Sequence, residues 1–290
     1  MFKGAGVAIV TPFRDGMFDV EAYENLIEFQ IENGTQALIV LGTTGEASTI
    51  NSEEKGLIIS TAVEKTAKRI PIIVGVGSNS TKIAIENTRQ AESLGADGVL
   101  LVSPYYNKCT NGGLIAHFTE VANSTKLPVI IYNVPGRTGV NIPPEVNLAM
   151  SKVENVIGVK EASGNISQIL EIKRLVPEDY MIYSGNDDQV IPIYACGGHG
   201  VISVASNIIP KEMQQMCAAF MEGNTGEALR VQLEYKKLID LLFSEVNPIP
   251  VKAALAEMKY IEDELRLPLT SMEEKNRIKL VQEMKRVNIL

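Results

Sequence analysis

The feature that most constrains the fold is a repeated alternation of short apolar segments and longer amphipathic ones. Eight apolar segments, rich in valine and isoleucine, predict parallel strands that are buried on both faces. They are Gly6–Val10, Ala37–Leu41, Ile72–Val76, Gly98–Val102, Val129–Tyr132, Val156–Lys160, Met181–Ser184 and Gly200–Val204. An amphipathic segment after each strand predicts a helix. These are Val20–Asn33, Ser52–Lys68, Lys82–Leu94, Leu114–Ser124, Pro144–Lys152, Ile166–Leu175, Val190–Cys196 and Pro210–Met221.

Eight successive βα units favour a (β/α)8 TIM barrel, an α/β fold, over a doubly wound open sheet. An open sheet that binds a dinucleotide would carry a glycine-rich first turn, and no G-x-G-x-x-G follows the first predicted strand. After residue 225 the strand patterns stop, and three helical segments follow: Gly226–Phe243, Pro248–Tyr260 and Ser271–Val287. We therefore expect a catalytic barrel over residues 1–225 and a C-terminal helical appendage, residues 226–290, that packs on it.

The composition argues against several classes of partner. The formal net charge is −8 and the basic residues are scattered, whereas a nucleic-acid-binding surface needs clustered lysine and arginine. No apolar run is long enough to span a bilayer, and the N-terminus lacks the basic and apolar regions of a signal peptide. We expect a cytoplasmic protein with neither a nucleic-acid partner nor a membrane contact.

Cysteine and histidine are too few, and too widely spaced, for a catalytic metal site. Cys109, Cys196 and Cys217 match no metal-binding or redox pattern, which indicates reduced thiols that serve mainly in packing. The two histidines, His117 and His199, make a His-ligated metal improbable. We therefore expect that the protein needs no metal and no cofactor.

The active site of a TIM barrel forms at the C-terminal ends of its strands, and the sixth predicted strand ends in Lys160. Burial there would lower the pKa of the lysine and make its amine nucleophilic. A neutral amine attacks a ketone to give an imine, which turns the neighbouring carbon into a nucleophilic enamine. The alternative is a structural lysine that reaches solvent or forms a salt bridge at the barrel rim.

Two more strand ends carry polar groups. Tyr132 ends the fifth strand, beside Lys160, and its phenol could move protons during imine formation. Thr43 and Thr44 lie in the loop Gly42–Glu46, whose N–H groups could bind a carboxylate and whose hydroxyls could relay protons. A buried aromatic with a satisfied hydroxyl and an ordinary βα turn are the respective structural alternatives.

Three neighbouring positions are further candidates. Arg137, in the loop Asn133–Gly139, could recognise a substrate carboxylate, although a surface arginine is the alternative. Gly185 ends the seventh strand and would let a ligand approach the backbone closely. Tyr105 and Tyr106 follow the fourth strand, where exposed aromatics could contact a substrate or a partner subunit.

Three motifs, in order and spacing, make the chain resemble the dihydrodipicolinate synthase family. They are Gly42-Thr43-Thr44-Gly45-Glu46, Tyr132-Asn133-Val134-Pro135-Gly136-Arg137-Thr138-Gly139 and Val159-Lys160-Glu161-Ala162. The similarity extends from Val7–Phe13 through the C-terminal helices. It implies a Schiff-base lyase that condenses pyruvate with L-aspartate 4-semialdehyde to 4-hydroxy-tetrahydrodipicolinate, the first committed step of diaminopimelate and lysine biosynthesis.

The resemblance also implies how the substrates are bound and activated. Lys160 would form the imine with pyruvate, and Tyr132 would act as acid and base in a relay with Thr43 and Tyr106. Thr44, together with Thr43, would hold the pyruvate carboxylate.

The remaining implied roles concern the second substrate, the site walls and the assembly. Arg137 would receive the carboxylate of aspartate 4-semialdehyde, while Gly185 and Ile202 would line the site, Ile202 through its backbone carbonyl. Tyr106 would reach into the neighbouring subunit's site, in a homotetramer built as a dimer of dimers.

The same superfamily contains N-acetylneuraminate lyase and 2-keto-3-deoxy sugar-acid aldolases, so a pyruvate-dependent sugar-acid aldolase is the alternative enzyme. Arg137 favours the synthase, because sugar-acid enzymes must accommodate a polyol instead. A barrel that binds ligands without catalysis is a further alternative, which the complete set of catalytic positions opposes.

Three positions depart from the family pattern. Lysine-inhibited members carry a histidine and an acidic residue where this chain has Lys55 and Ile83, so we expect weak or absent inhibition by lysine. Cys109 stands where many members have proline, which predicts a less rigid loop around Tyr106.

Overall fold

The computed structural model describes residues 1–290 and contains a closed barrel of eight parallel strands. The strands are Gly4–Ala8, Ala37–Val40, Ile72–Gly75, Gly98–Val102, Val129–Asn133, Val156–Glu161, Met181–Ser184 and Gly200–Ser203. Each strand pairs with the next in the chain, and the eighth closes the barrel on the first. The predicted TIM barrel is confirmed.

Helices alternate with the strands. The main ones are Val20–Glu32, Ser52–Thr66, Thr81–Ser93, Asn111–Ala122, Pro144–Met150, Ile166–Leu175, Val190–Ala195 and Pro210–Met221. Their local start signals are strong: at the second helix the Asn51 side chain accepts from the Glu54 N–H, and the Glu54 carboxylate accepts from the Asn51 N–H. This reciprocal cap satisfies two N–H groups that a helix terminus would otherwise leave free.

Among the strands, the predicted boundaries differ most from the structure at the first, which begins at Gly4 rather than Gly6. Gly4 pairs with Gly200 so closely that a Cβ on Gly200 would lie 2.2 Å from the Gly4 carbonyl oxygen. Glycines carry no apolar signal, so the pattern placed the strand too late. The pattern also missed a two-stranded hairpin, Phe13–Arg14 with Met17–Phe18, and a four-residue helix, Pro135–Thr138, because both are too short to show a period.

The barrel interior is filled at its N-terminal end. Phe2 stacks on Tyr183 with ring centroids 4.5 Å apart, and the Tyr183 hydroxyl donates to the Phe2 carbonyl over 2.8 Å. Ile39, Ile73 and Ile130 pack in the same interior cluster. This packing closes the N-terminal end of the barrel, and the active site is expected at the C-terminal ends of the strands.

The C-terminal region consists of helices Thr225–Leu241, Ile249–Glu257 and Glu274–Arg286, as predicted in number. Lys252, in the middle helix, is fully buried, and its Nζ lies 2.7 Å from the Glu46 carboxylate and 3.0 Å from the Thr11 carbonyl. Removal of either charge would leave the other buried and unpaired, at a cost of about 3–5 kcal/mol. The region is thus anchored to the barrel, while the predicted division at residue 225 stays a prediction.

The helices of this fold are all either too short or too polar to cross a lipid bilayer.

Candidate active site

A cavity of about 530 Å³ opens at the C-terminal ends of the strands. Six of the eight predicted site residues line it: Thr43, Thr44, Tyr132, Arg137, Lys160 and Gly185. They come from four separate strand ends, so only closure of the barrel brings them together.

Lys160 lies near the end of the sixth barrel strand, Val156–Glu161, where it is directly paired with Tyr132 of the fifth strand. Its side chain is only 6% exposed, and Nζ lies 4.4 Å from the centroid of the Tyr132 ring. Burial lowers the pKa of Lys160 to about 8, although the Asp187 carboxylate opposes this shift and the Arg137 charge adds to it. A substantial fraction of the amine is therefore neutral near pH 8, which is what a nucleophilic lysine requires.

Gly185 gives the Lys160 side chain its room. A Cβ at this position would lie 2.6 Å from the Ala162 Cβ and 3.2 Å from the Lys160 Cε. Any larger residue would therefore push against the methylene chain that carries the amine. A glycine at position 185 lets Lys160 keep this conformation.

Tyr132 is buried, and this burial raises the pKa of its phenol. The positive charge of Arg137 and the Thr43 hydroxyl oppose that rise. The phenol therefore stays protonated near neutral pH beside a partly neutral amine. A protonated phenol whose ring lies beside the amine can both donate a proton and receive one back during the reaction.

The loop that carries Thr43 and Thr44 is a tight turn. The N–H of Gly45 donates to the Gly42 carbonyl, and the N–H of Glu46 donates to the Thr43 carbonyl, both over 3.1 Å. The N–H groups of Thr43 and Thr44 have no partner within the chain. Two free N–H groups and two hydroxyls at the edge of the cavity are suited to binding a carboxylate.

Arg137 lies in the short helix Pro135–Thr138, is exposed and lines the cavity. Its Nη2 donates to the Asn247 carbonyl over 3.2 Å, and no carboxylate pairs with it. A guanidinium without an acidic partner beside a cavity is available to an anionic ligand.

A buried polar network behind the cavity fixes the loop that carries Arg137. Glu161 is fully buried and accepts from the Asn133 amide at 3.0 and 3.1 Å, from the Ser163 N–H at 2.8 Å and from the Gln168 amide at 3.1 Å. The Asn133 carbonyl oxygen Oδ1 in turn accepts from the Ile142 N–H over 2.9 Å. Burial raises the pKa of Glu161, and these hydrogen bonds oppose the rise.

Two predicted site residues do not line the cavity within one chain. Tyr106 is 85% exposed and adopts a left-handed backbone conformation with φ of 71°, while its neighbour Tyr105 lines the cavity. Ile202 is fully buried among the apolar residues of the barrel interior. The roles of both stay predictions.

The sequence did not single out several residues that the structure places at or near the site. Asn247 and Phe243 line the cavity from the C-terminal region. The charge of the buried Asp187 carboxylate favours the protonated form of Lys160. Asp187 is a charged residue soon after the apolar strand Met181–Ser184, so its position could have marked it, as the strand end marked Lys160. Nothing local marks Asn247, because it lies outside the barrel pattern.

Lys55 and Ile83 line the outer part of the same cavity. Lys55 is partly buried, and burial lowers the pKa of its amine.

Comparison with known proteins agrees with this geometry. Residues 1–287 match the model of the dihydrodipicolinate synthetase family. The 4-hydroxy-tetrahydrodipicolinate synthase of Alkaliphilus oremlandii (strain OhILAs) is 71% identical over 290 residues, which cover 100% of both chains.

Solved structures share this fold over the whole chain. Dihydrodipicolinate synthase from Thermotoga maritima is 47% identical with a TM-score of 0.99, and the alignment covers 100% of both chains. The chloride-inhibited enzyme from Acinetobacter baumannii, complexed with pyruvate, is 41% identical with a TM-score of 0.98 over 100% of both chains. The chain therefore belongs to the dihydrodipicolinate synthetase family.

Proposed function

We propose that this lyase condenses pyruvate with L-aspartate 4-semialdehyde to 4-hydroxy-tetrahydrodipicolinate, for diaminopimelate and lysine biosynthesis. The observation that carries the mechanism is Lys160, a buried amine with a pKa lowered to about 8 in a cavity at the barrel mouth. The neutral amine attacks the keto carbon of pyruvate, water leaves, and a protonated imine remains on Lys160.

Tyr132 lies beside the reacting amine. Its ring lies 4.4 Å from the Lys160 amine and its phenol is protonated near neutral pH. We assign it to proton transfer in imine formation and release, with Thr43 as the next hydroxyl of the relay. The imine withdraws electrons from the pyruvate methyl group, which loses a proton and attacks the aldehyde carbon of the second substrate. The amino group of that substrate then attacks the imine carbon, which closes the ring and releases the Lys160 amine.

The carboxylates of the two substrates have separate positions in this proposal. The free N–H groups and hydroxyls of Thr43 and Thr44 bind the carboxylate of pyruvate. Arg137, at the cavity mouth and without an acidic partner, binds the carboxylate of the second substrate. Gly185 leaves room for the imine, and the Ile202 carbonyl is assigned to the site wall.

Tyr106 needs a second copy of the chain. Because its side chain is 85% exposed and lies outside the cavity of its own subunit, we assign it to the relay of a neighbouring subunit. The active assembly would be a homotetramer made of two such dimers, acting in the cytoplasm.

Borohydride reduction in the presence of pyruvate tests the mechanism. The reagent converts the imine into a stable secondary amine, which peptide mass spectrometry should find on Lys160 and which Lys160→Ala should abolish. An adduct on another lysine, or no adduct in the wild-type protein, would refute the Schiff-base mechanism. As a matched control on the second substrate, Arg137→Ala should keep the adduct but raise the KM for the semialdehyde.

A further inference from the structure

We propose that Asn247, in the C-terminal region, is a positioning residue for the pyruvate carboxylate. Its side-chain amide hydrogen-bonds the Thr44 hydroxyl so that the single hydrogen of that hydroxyl is directed to the substrate. This inference rests on the proposed function, because it concerns the same pyruvate site.

Asn247 lies between helices Thr225–Leu241 and Ile249–Glu257, is 5% exposed and lines the cavity. Its Nδ2 donates to the Thr44 Oγ1 over 3.0 Å. Its backbone carbonyl accepts from the Arg137 Nη2 over 3.2 Å. One residue therefore contacts the groups assigned to the carboxylates of both substrates, through its side chain in one case and its backbone in the other.

The direction of the bond to Thr44 has a chemical consequence. A threonine hydroxyl has one hydrogen to donate and two positions at which it can accept. Because Asn247 occupies an accepting position, the hydrogen of Thr44 must be donated elsewhere. A carboxylate can only accept, and the N–H groups of Thr43 and Thr44 are free beside it. The asparagine thus prepares Thr44 as a donor before the substrate arrives.

Asn247 is not the only group that holds this loop. At its far end, Glu46 accepts from the Lys252 amine at 2.7 Å and from the Arg266 N–H at 3.1 Å. The loop therefore keeps its position without Asn247, and the expected effect of substitution is confined to the orientation of the Thr44 hydroxyl.

The test measures the pyruvate concentration that half-saturates borohydride trapping on Lys160. Asn247→Asp has the same shape but accepts from Thr44 and adds a negative charge, so it should raise this concentration about tenfold or more. Asn247→Ala only removes the donor and should raise it about threefold. The KM for the semialdehyde should change less than twofold in Asn247→Ala, because the backbone carbonyl that contacts Arg137 remains. Ser244→Ala, an exposed change in the same segment, should alter neither value.

A role in packing would give the opposite order, with the cavity-forming Asn247→Ala more harmful than Asn247→Asp, and that order would overturn the inference. In a Thr44→Val background, Asn247→Ala should have no further effect on the pyruvate concentration, and an undiminished effect would also overturn it. Asn247→Ala and this double variant suffice if Asn247→Asp does not fold. A wild-type protein that forms no Lys160 adduct would instead refute the proposed function.

Discussion

At the scale of single residues, the state of Lys160 follows from the balance of its neighbours. Burial disfavours its charged form, and Asp187 partly restores it. The imine formed with pyruvate carries a positive charge at the same nitrogen. The carboxylate that limits the pKa shift of the free amine is thus in place to stabilise the charged intermediate.

The rate of imine trapping should rise with pH, with a midpoint near pH 8, and level off about one pH unit higher. The reason is that the lowered pKa of Lys160, about 8, sets the fraction of neutral amine. The measurement is the initial rate of borohydride trapping at saturating pyruvate from about pH 6 to about pH 11.5, a range that includes both the lowered and the ordinary pKa of a lysine. A midpoint near the ordinary lysine pKa of 10.5 would contradict the assigned environment.

Lys160→Met should stabilise the fold while abolishing activity. Because the pKa of Lys160 is lower in the folded than in the unfolded protein, the unfolded state binds more protons between about pH 8 and 10.5. The native amine therefore costs stability most at pH below 8, and this cost disappears as the pH rises towards 10.5. Denaturant unfolding at pH 7 should show a gain of about 1–3 kcal/mol that shrinks by pH 10. A loss of stability at pH 7 would contradict this account.

At the scale of secondary-structure elements, the site depends on polar residues that face away from the cavity. Glu161 follows Lys160 on the same strand, so its side chain points to the opposite face and is buried there with Asn133 and Gln168. This network connects the strand of the nucleophile to the loop that carries Arg137.

Glu161→Leu should destabilise the protein by about 1–3 kcal/mol, because the Asn133 and Gln168 amides would lose their acceptor in a buried place. It should also raise the KM for the semialdehyde through the Arg137 loop. Glu161→Gln keeps an acceptor and should have a smaller effect on both. Thermal unfolding and steady-state kinetics on the two variants test this, and equal effects of Leu and Gln would exclude the hydrogen-bond network as the cause.

Most of these secondary-structure elements could be predicted from the sequence. The strands and helices of the barrel have regular apolar periods, and a lysine that ends an apolar strand stands out against them. Asn247 and the Glu46–Lys252 ion pair were not predictable, because their partners are more than 200 residues apart and only tertiary packing brings them together. Glu46 and Lys252 are ordinary surface types, and their burial shows only in the folded molecule.

At the scale of the whole molecule, one chain leaves the proposed site without Tyr106. The cavity also extends beyond the reacting groups to Lys55 and Ile83. Both observations call for measurements of activity and of inhibition on the assembled protein rather than on the isolated barrel.

Mixing Tyr106→Ala with Lys160→Ala subunits should restore activity that neither variant has alone. In a mixed dimer, the site that keeps Lys160 receives an intact Tyr106 from its partner, and the other site lacks both. After dissociation and reassociation, steady-state activity should reach a substantial fraction of the wild-type value. No recovery in assemblies shown to be mixed would mean that Tyr106 acts within its own subunit.

Free lysine should inhibit the enzyme weakly or not at all. The Lys55 amine would repel the lysine side chain, and Ile83 offers it no carboxylate. Steady-state rates at increasing lysine concentrations test this, and inhibition below millimolar lysine would contradict it. Lys55→Ala combined with Ile83→Glu should increase sensitivity, because it removes one cation and supplies one anion.

The buried pair of Glu46 and Lys252 also bears on how the protein is made. During synthesis on the ribosome, Glu46 emerges 206 residues before Lys252, the lysine that pairs with its carboxylate. The nascent barrel must carry this carboxylate without the lysine, so this anchor of the Thr43–Thr44 loop is missing until the helix Ile249–Glu257 has been translated. The enzyme therefore becomes competent only after Lys252 has been translated, and products that terminate before it should be inactive even where all eight strands are present.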